Sequence, residues 1–155
     1  MYKTEDDFRN IVKQYQENLI PLDAIYLDID YMEDYESFTI NRENLPHFEE
    51  LVQEFKEQGV HMVPIIDAGI KVKEGYHVYD EGVKQNRFCK DKDGKNFKCG
   101  VWPGYCHFVD VLNEDNRHWF GEQYQFLLDK GIDGIWNDMN EPSIFYTDER
   151  LNEAY

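Results

Sequence analysis

Basic residues are scarce in this chain: 16 Lys and Arg stand against 32 Asp and Glu in 155 residues, for a formal net charge of −16. A field of that sign repels phosphate backbones and argues against nucleic-acid or anionic-membrane binding, which leaves neutral or cationic ligands as the better fit. Long apolar runs are missing as well. None exceeds a few residues, and the chain opens with Tyr2-Lys3-Thr4-Glu5-Asp6-Asp7 rather than a basic then apolar leader, so neither a membrane span nor a signal peptide is expected. Cysteine is sparse and odd in number, with Cys89, Cys99 and Cys106 in one loop-like stretch. That departs from the even framework of a small secreted domain and points to a reducing, cytoplasmic setting. No internal repeat beyond a helix–strand cycle and no low-complexity linker is found. What is present, 41% hydrophobic and 15% aromatic residues, suffices for one core, either a domain or a piece of a larger one.

Three helix–strand cycles organise the chain. Phe8, Ile11, Val12 and Tyr15 fall at i, i+3, i+4 and i+7, and Thr4 with Asp7 makes a capping-box-like start, which predicts a first helix. Ala24-Ile25-Tyr26-Leu27 is a short apolar run that leads into Asp28-Ile29-Asp30, as a buried parallel strand does at its carboxyl end. After Asn44 a second helix is expected, with Pro46 in its first turn, an apolar stripe of Phe48, Leu51, Val52 and Phe55, and Gly59 just past its end. The strand from Val60 to Asp67 follows, and Pro64 within it predicts a bulge or an irregular ladder. In the third cycle Phe120, Tyr124, Leu127 and Leu128 form the stripe, Gly131 ends the helix, and Ile132 to Asn137 leads to Asp138.

Repeated helix-to-strand turns imply parallel strands joined by right-handed crossovers, hence α/β architecture. Each strand ends on acid: Asp28 and Asp30, then Asp67, then Asp138. That edge carries the chemistry in barrels and in open parallel sheets. A long loop from Ala68 to about Asn116, with turns such as Asp91-Lys92-Asp93-Gly94-Lys95 and aromatic clusters around Trp102 and Tyr105, leaves the second strand on the same side. A loop of that length in a compact domain is usually functional. Three strands do not close an eight-stranded barrel, so the chain reads as either an economical open sheet or an excerpt.

The strongest local signal is Asp133-Gly134-Ile135-Trp136-Asn137-Asp138-Met139-Asn140-Glu141-Pro142, which delivers Trp, Asp, Met and Glu to one strand mouth. It closely resembles the nucleophile signature W-x-D-M-N-E of glycoside hydrolase family 31. Upstream, Asp28-Ile29-Asp30-Tyr31-Met32, Phe38-Thr39, Pro64-Ile65-Ile66-Asp67 and Val101-Trp102-Pro103-Gly104 resemble the family in the expected order, so the likeness covers nearly the whole chain. The resemblance implies a partial (β/α)8 TIM barrel over residues 1–155, lacking the first strand and the later strands. It implies an α-glucosidase-type retaining glycosidase in which Asp138 attacks the anomeric carbon to form a glycosyl-enzyme intermediate. Asp28 would hydrogen-bond sugar hydroxyls and Asp67 would line the innermost subsite, while Ile29, Ile65, Trp102, Trp136 and Met139 would wall it. No metal or organic cofactor is required by that chemistry, and an α-glucoside or oligosaccharide is the implied partner. Retention also needs an acid/base carboxyl about 5 to 5.5 Å from the nucleophile. In the family that group lies on a later strand, so the isolated chain is expected to lack turnover.

Other readings of individual residues stay beside this one. Glu141 is expected to brace the loop rather than serve as the acid, and Asp30 either shares the site with Asp28 or pairs with a lysine outside it. Trp102 has an alternative as loop-core filler, and Trp119 is expected to pack. Cys89, Cys99, Cys106 and His107 form a valid zinc set in type but lack a C-x-x-C pair, so free thiols are expected. Two rival functions remain. One is a non-catalytic sugar-binding chain or a half-barrel that self-associates through exposed sheet edges. The other is a haloacid dehalogenase-like phosphatase built on Asp28-Ile29-Asp30, which the net charge of −16 disfavours.

Overall fold

The structure is a computed structural model that describes residues 2–147. The chain divides into two compact units. The first takes the chain through Asp34, Phe38–Ile66 and Gln125–Trp136; the second takes Tyr35–Ser37, Asp67–Tyr124 and the chain from Asn137.

In the first unit, α1 spans Glu5–Glu17, and its start is the predicted capping box: the Thr4 hydroxyl accepts from the Asp7 amide, and the Asp7 carboxylate accepts from the Thr4 amide. Phe8 and Val12 bury its inner face, whereas Tyr15 of the predicted stripe is exposed. Strand β1, Ala24–Leu27, pairs in parallel with β2, His61–Asp67, in the register Ala24↔His61 to Leu27↔Pro64. Between them lies α2, Phe48–Glu57, which buries all four predicted apolar residues. Gly59 follows its C-cap with φ 75°, the left-handed conformation that a glycine supplies at low steric cost. Strand β6, Trp136–Asp138, completes a parallel three-stranded sheet of order β1-β2-β6.

Three expectations for these elements need correction. Pro46 precedes α2 instead of lying in its first turn; the helix starts at Phe48 after an uncapped His47. Glu5 from α1 holds the start of the helix differently, its carboxylate accepting from the amide of His47 itself at 2.6 Å. The β1–β2 ladder runs without a bulge as far as Pro64. Pro64 occupies the last registered pair, so its missing N–H interrupts no further rung of that ladder. The third cycle is shorter than predicted: α4, Glu114–Gln123, stops at a cap on Tyr124, a one-turn α5 covers Gln125–Leu128, and only Trp136–Asp138 is strand. Leu127 is buried there and Leu128 is exposed.

The larger correction falls on residues 68–116, predicted as a loop. They hold α3, His77–Lys84, and three strands of an antiparallel sheet: β3 Gly69–Lys71, β4 Cys99–Val101 and β5 Gly104–Phe108. With β7, Tyr146–Thr147, the order is β3-β5-β4-β7. This second unit has its own core of Cys99, Val101, Cys106 and Phe108. A second aromatic layer stacks Tyr79 on His107 at 5.9 Å and on Phe88 at 6.3 Å. Gly100 admits the Tyr146 ring directly; a Cβ there would lie 2.1 Å from it.

Candidate active site

Four of the predicted site residues belong to the first unit. Asp28 follows β1, and its carboxylate accepts from the Ile29 amide at 2.8 Å, which caps the 3-10 turn Ile29–Tyr31 and leaves the group exposed. Ile65 is buried in β2, where its carbonyl accepts from the Tyr31 phenol at 2.8 Å. The β1–β2 register ends at Leu27↔Pro64, so Asp28 and Ile65 occupy the next step along neighbouring strands. Trp136 is half-buried and meets Tyr26 edge-on, ring centroids 6.0 Å apart. Asp30 pairs with a lysine: Lys3 lies 3.0 Å from its carboxylate.

The second unit carries Asp67, Trp102, Asp138 and Met139. Asp67 is 5% exposed, and its backbone carbonyl accepts from the Ser37 hydroxyl at 3.1 Å. Ser37 is held in turn by the Tyr76 phenol, which donates to its carbonyl at 2.6 Å. Glu36, beside it, is buried and hydrogen-bonded by Lys73. Asp138, the last residue of β6, is half-buried and is flanked by two restrained neighbours. Upstream, the Asn137 side-chain carbonyl accepts from the Tyr124 phenol at 2.6 Å. Burial pushes the Tyr124 hydroxyl up to about 12, so it remains a donor throughout the neutral range. Downstream, Met139 has φ 57°, a left-handed conformation unusual for a long side chain. Its carbonyl accepts from the Ser143 amide at 3.1 Å, and its side chain packs on the core of Cys99, Val101, Cys106 and Phe108. Trp102, in the β4–β5 turn, is 53% exposed and sits edge-on to Phe145 at 4.9 Å, so it is not core filler.

Glu141 is exposed, and Trp119 is buried in α4 with the Arg87 guanidinium 5.9 Å from its ring centre. Among the described residues no group of three or more His, Cys, Asp or Glu side chains is placed to hold a metal ion. The three cysteines are free thiols. Cys99 and Cys106 face each other across β4 and β5 with their sulfurs 3.6 Å apart, and the thiol hydrogen bond between them together with burial pushes the Cys106 pKa up. His107 is turned away, its Nδ1 2.7 Å from the Phe97 carbonyl and its pKa lowered by burial. The supporting phenols of Tyr31, Tyr76 and Tyr124 were not legible as site residues. The one available signal was chemical, since a buried tyrosine hydroxyl needs a partner.

Strands β1, β2 and β6 each end at or directly before an aspartate, Asp28, Asp67 and Asp138. The profile of the glycosyl hydrolases family 31 TIM-barrel domain matches residues 1–155. Alpha-glucosidase 2 of Bacillus thermoamyloliquefaciens is 46% identical over 144 residues, which cover 93% of this chain and 18% of that protein. The crystal structure of a glucosidase II alpha subunit superposes with a TM-score of 0.87 at 32% identity, covering 93% of this chain and 16% of that one. A family 31 alpha-glucosidase from Bacteroides thetaiotaomicron gives a TM-score of 0.79 at 37% identity over 86% of this chain and 23% of its own. The chain belongs to glycosyl hydrolase family 31. It spans about a fifth of the length of the curated relatives it matches.

Proposed function

We propose that this chain supplies the nucleophile segment of a retaining α-glucosidase whose barrel is completed by further strands. The carrying observation is Asp138: a half-buried carboxylate at the carboxyl end of β6, held between restrained neighbours, in a family 31 barrel segment. In the first step an Asp138 oxygen attacks the anomeric carbon as the glycosidic C–O bond breaks, and the departing oxygen takes a proton from an acid contributed outside this chain. In the second step water, deprotonated by the same group, displaces Asp138 and restores the original configuration. Asp28 and Asp67 accept hydrogen bonds from the glucose hydroxyls, and Ile29, Ile65, Trp102, Trp136 and Met139 cover the ring. The three free thiols support a reducing, cytoplasmic location for this reading.

A mechanism-based 5-fluoro-glucosyl fluoride tests the assignment. In the full-length protein that carries this segment, peptide mass spectrometry should find the adduct on Asp138, and Asp138→Asn should abolish labelling and turnover. An adduct on another carboxylate, or full activity of the variant, would overturn it. A second reading, self-association of the chain when expressed alone, is favoured by the 61% exposure of Tyr26 on β1. Sedimentation of the isolated chain tests it, and a monomer at high concentration rejects it.

A further inference from the structure

We propose that Tyr124 is a positioning residue for the nucleophile, acting through Asn137. This inference rests on the assignment of Asp138 and adds to it a residue outside the signature string.

Tyr124 stands where α4 ends, at the break between α4 and the short α5. Its ring is fixed edge-on against Phe120, centroids 5.7 Å apart. From there the phenol donates a 2.6 Å hydrogen bond to the Asn137 side-chain carbonyl. Side chains alternate along β6, so Asn137 leaves the strand on the face opposite Asp138. The bond therefore grips the strand from behind the reacting carboxylate without occupying the side on which a sugar would sit. On the other flank Met139 is fixed by its left-handed backbone and its seat on the hairpin core. On the upstream flank the residue next to Asp138, Asn137, is exposed and polar, so its own side chain has no apolar seat like that of Met139. A carboxylate that must line up with the anomeric carbon depends on that flank holding still, and displacements of an ångström lower rates severely.

The test uses the full-length protein and the variants Tyr124→Phe, Asn137→Ala and the double variant. Tyr124→Phe keeps the ring and deletes only the donor. It should lower kcat and the rate of Asp138 labelling by roughly tenfold, with KM changed by less than about twofold. Asn137→Ala attacks the same bond from the other side, so it should reproduce the loss, and the double variant should be no worse than the single ones. Labelling rates within about twofold of the parent in both single variants would overturn the proposal. Multiplying losses in the double variant, or a rise in KM at constant kcat, would also overturn it. Asp138→Asn run in parallel separates the two failures: if it remains active, the nucleophile assignment itself is wrong. If it is dead while Tyr124→Phe is normal, only the positioning role falls.

Discussion

Tyr31→Phe isolates a single polar support of β2. Tyr31 is 1% exposed, and its hydroxyl donates 2.8 Å to the Ile65 carbonyl within the buried part of the strand. The substitution keeps the ring and its packing, so no cavity term enters. Removing the donor leaves the buried Ile65 carbonyl short of a partner, at about 1–3 kcal/mol. A destabilisation of about 2 kcal/mol is expected. For a chain of this size each kcal/mol moves Tm by about 2–4 °C, which makes a fall of roughly 4–8 °C. Circular-dichroism melts and urea titrations, with m unchanged, read it directly. Tyr26→Phe serves as the matched control, because Tyr26 is 61% exposed and its change should stay within about 0.5 kcal/mol. Equal effects in the two variants, or a loss below about 0.5 kcal/mol for Tyr31→Phe, would refute the claim that this phenol holds the strand.

Acid stability tests the pair of Arg42 and Glu49. The Arg42 guanidinium donates to both Glu49 oxygens at 2.6 and 2.7 Å and brings the carboxylate from 4.5 down to about 2. A depressed folded value gives stability that is complete above pH 4.5 and is lost as pH falls towards 2. The side chains are 47% and 43% exposed, so solvent screening keeps the gain below about 1 kcal/mol. The gap in urea midpoint between the parent and Glu49→Gln should therefore close across that window; a gap that persists to pH 2 contradicts the pairing. Gly100→Ala should destabilise the second unit by about 1–3 kcal/mol because its Cβ falls 2.1 Å from the Tyr146 ring. Adding Tyr146→Ala should recover part of that loss, and simple additivity would deny the clash. Ellman titration should find Cys99 and Cys106 silent in the native chain and three thiols in guanidinium, since both are fully buried. Prompt native reaction at either one would contradict the hairpin core.

Locally encoded features were the legible ones. Thr4 and Asp7 are three residues apart and bond to each other's backbone, and Gly59 needs only its own φ of 75° to end a helix. The acids at strand ends were legible because a short apolar run such as Ala24–Leu27 that gives way to Asp28 marks a strand reaching its end; the full burial expected of β1 did not follow, since Tyr26 within it is 61% exposed. The antiparallel sheet was not. Its strands are as short as Gly69–Lys71 and Cys99–Val101, too brief for alternation to register, and β7 pairs with β4 across some 45 residues of chain. The turn of the β4–β5 hairpin, Trp102-Pro103, also lacks the Asn-Gly or Asp-Gly pair that advertises such a connection. Asp138 could be named from its own string, but Tyr124 could not. It reads as one more apolar position on a helix until its hydroxyl is seen on Asn137.

The segment 68–116 contributes through packing more than through exposed chemistry, and Met139 is where the two meet. A non-glycine residue held at φ 57° stores roughly 1–3 kcal/mol of backbone strain. Such strain persists only where surroundings over-determine the conformation, and here they are the Cys99, Val101, Cys106 and Phe108 core on which the Met139 side chain rests. Strain and anchor separate by substitution. Met139→Ala deletes the anchor and keeps the strain, whereas Met139→Gly deletes both, so the glycine variant should be the more stable of the two by about 1 kcal/mol. That order inverts the usual penalty for glycine in ordered backbone, where the alanine variant wins by roughly 0.5–1 kcal/mol. Paired urea titrations of the two variants decide it: an alanine variant as stable as the glycine one, or more so, would mean that the backbone beside Asp138 is not strained.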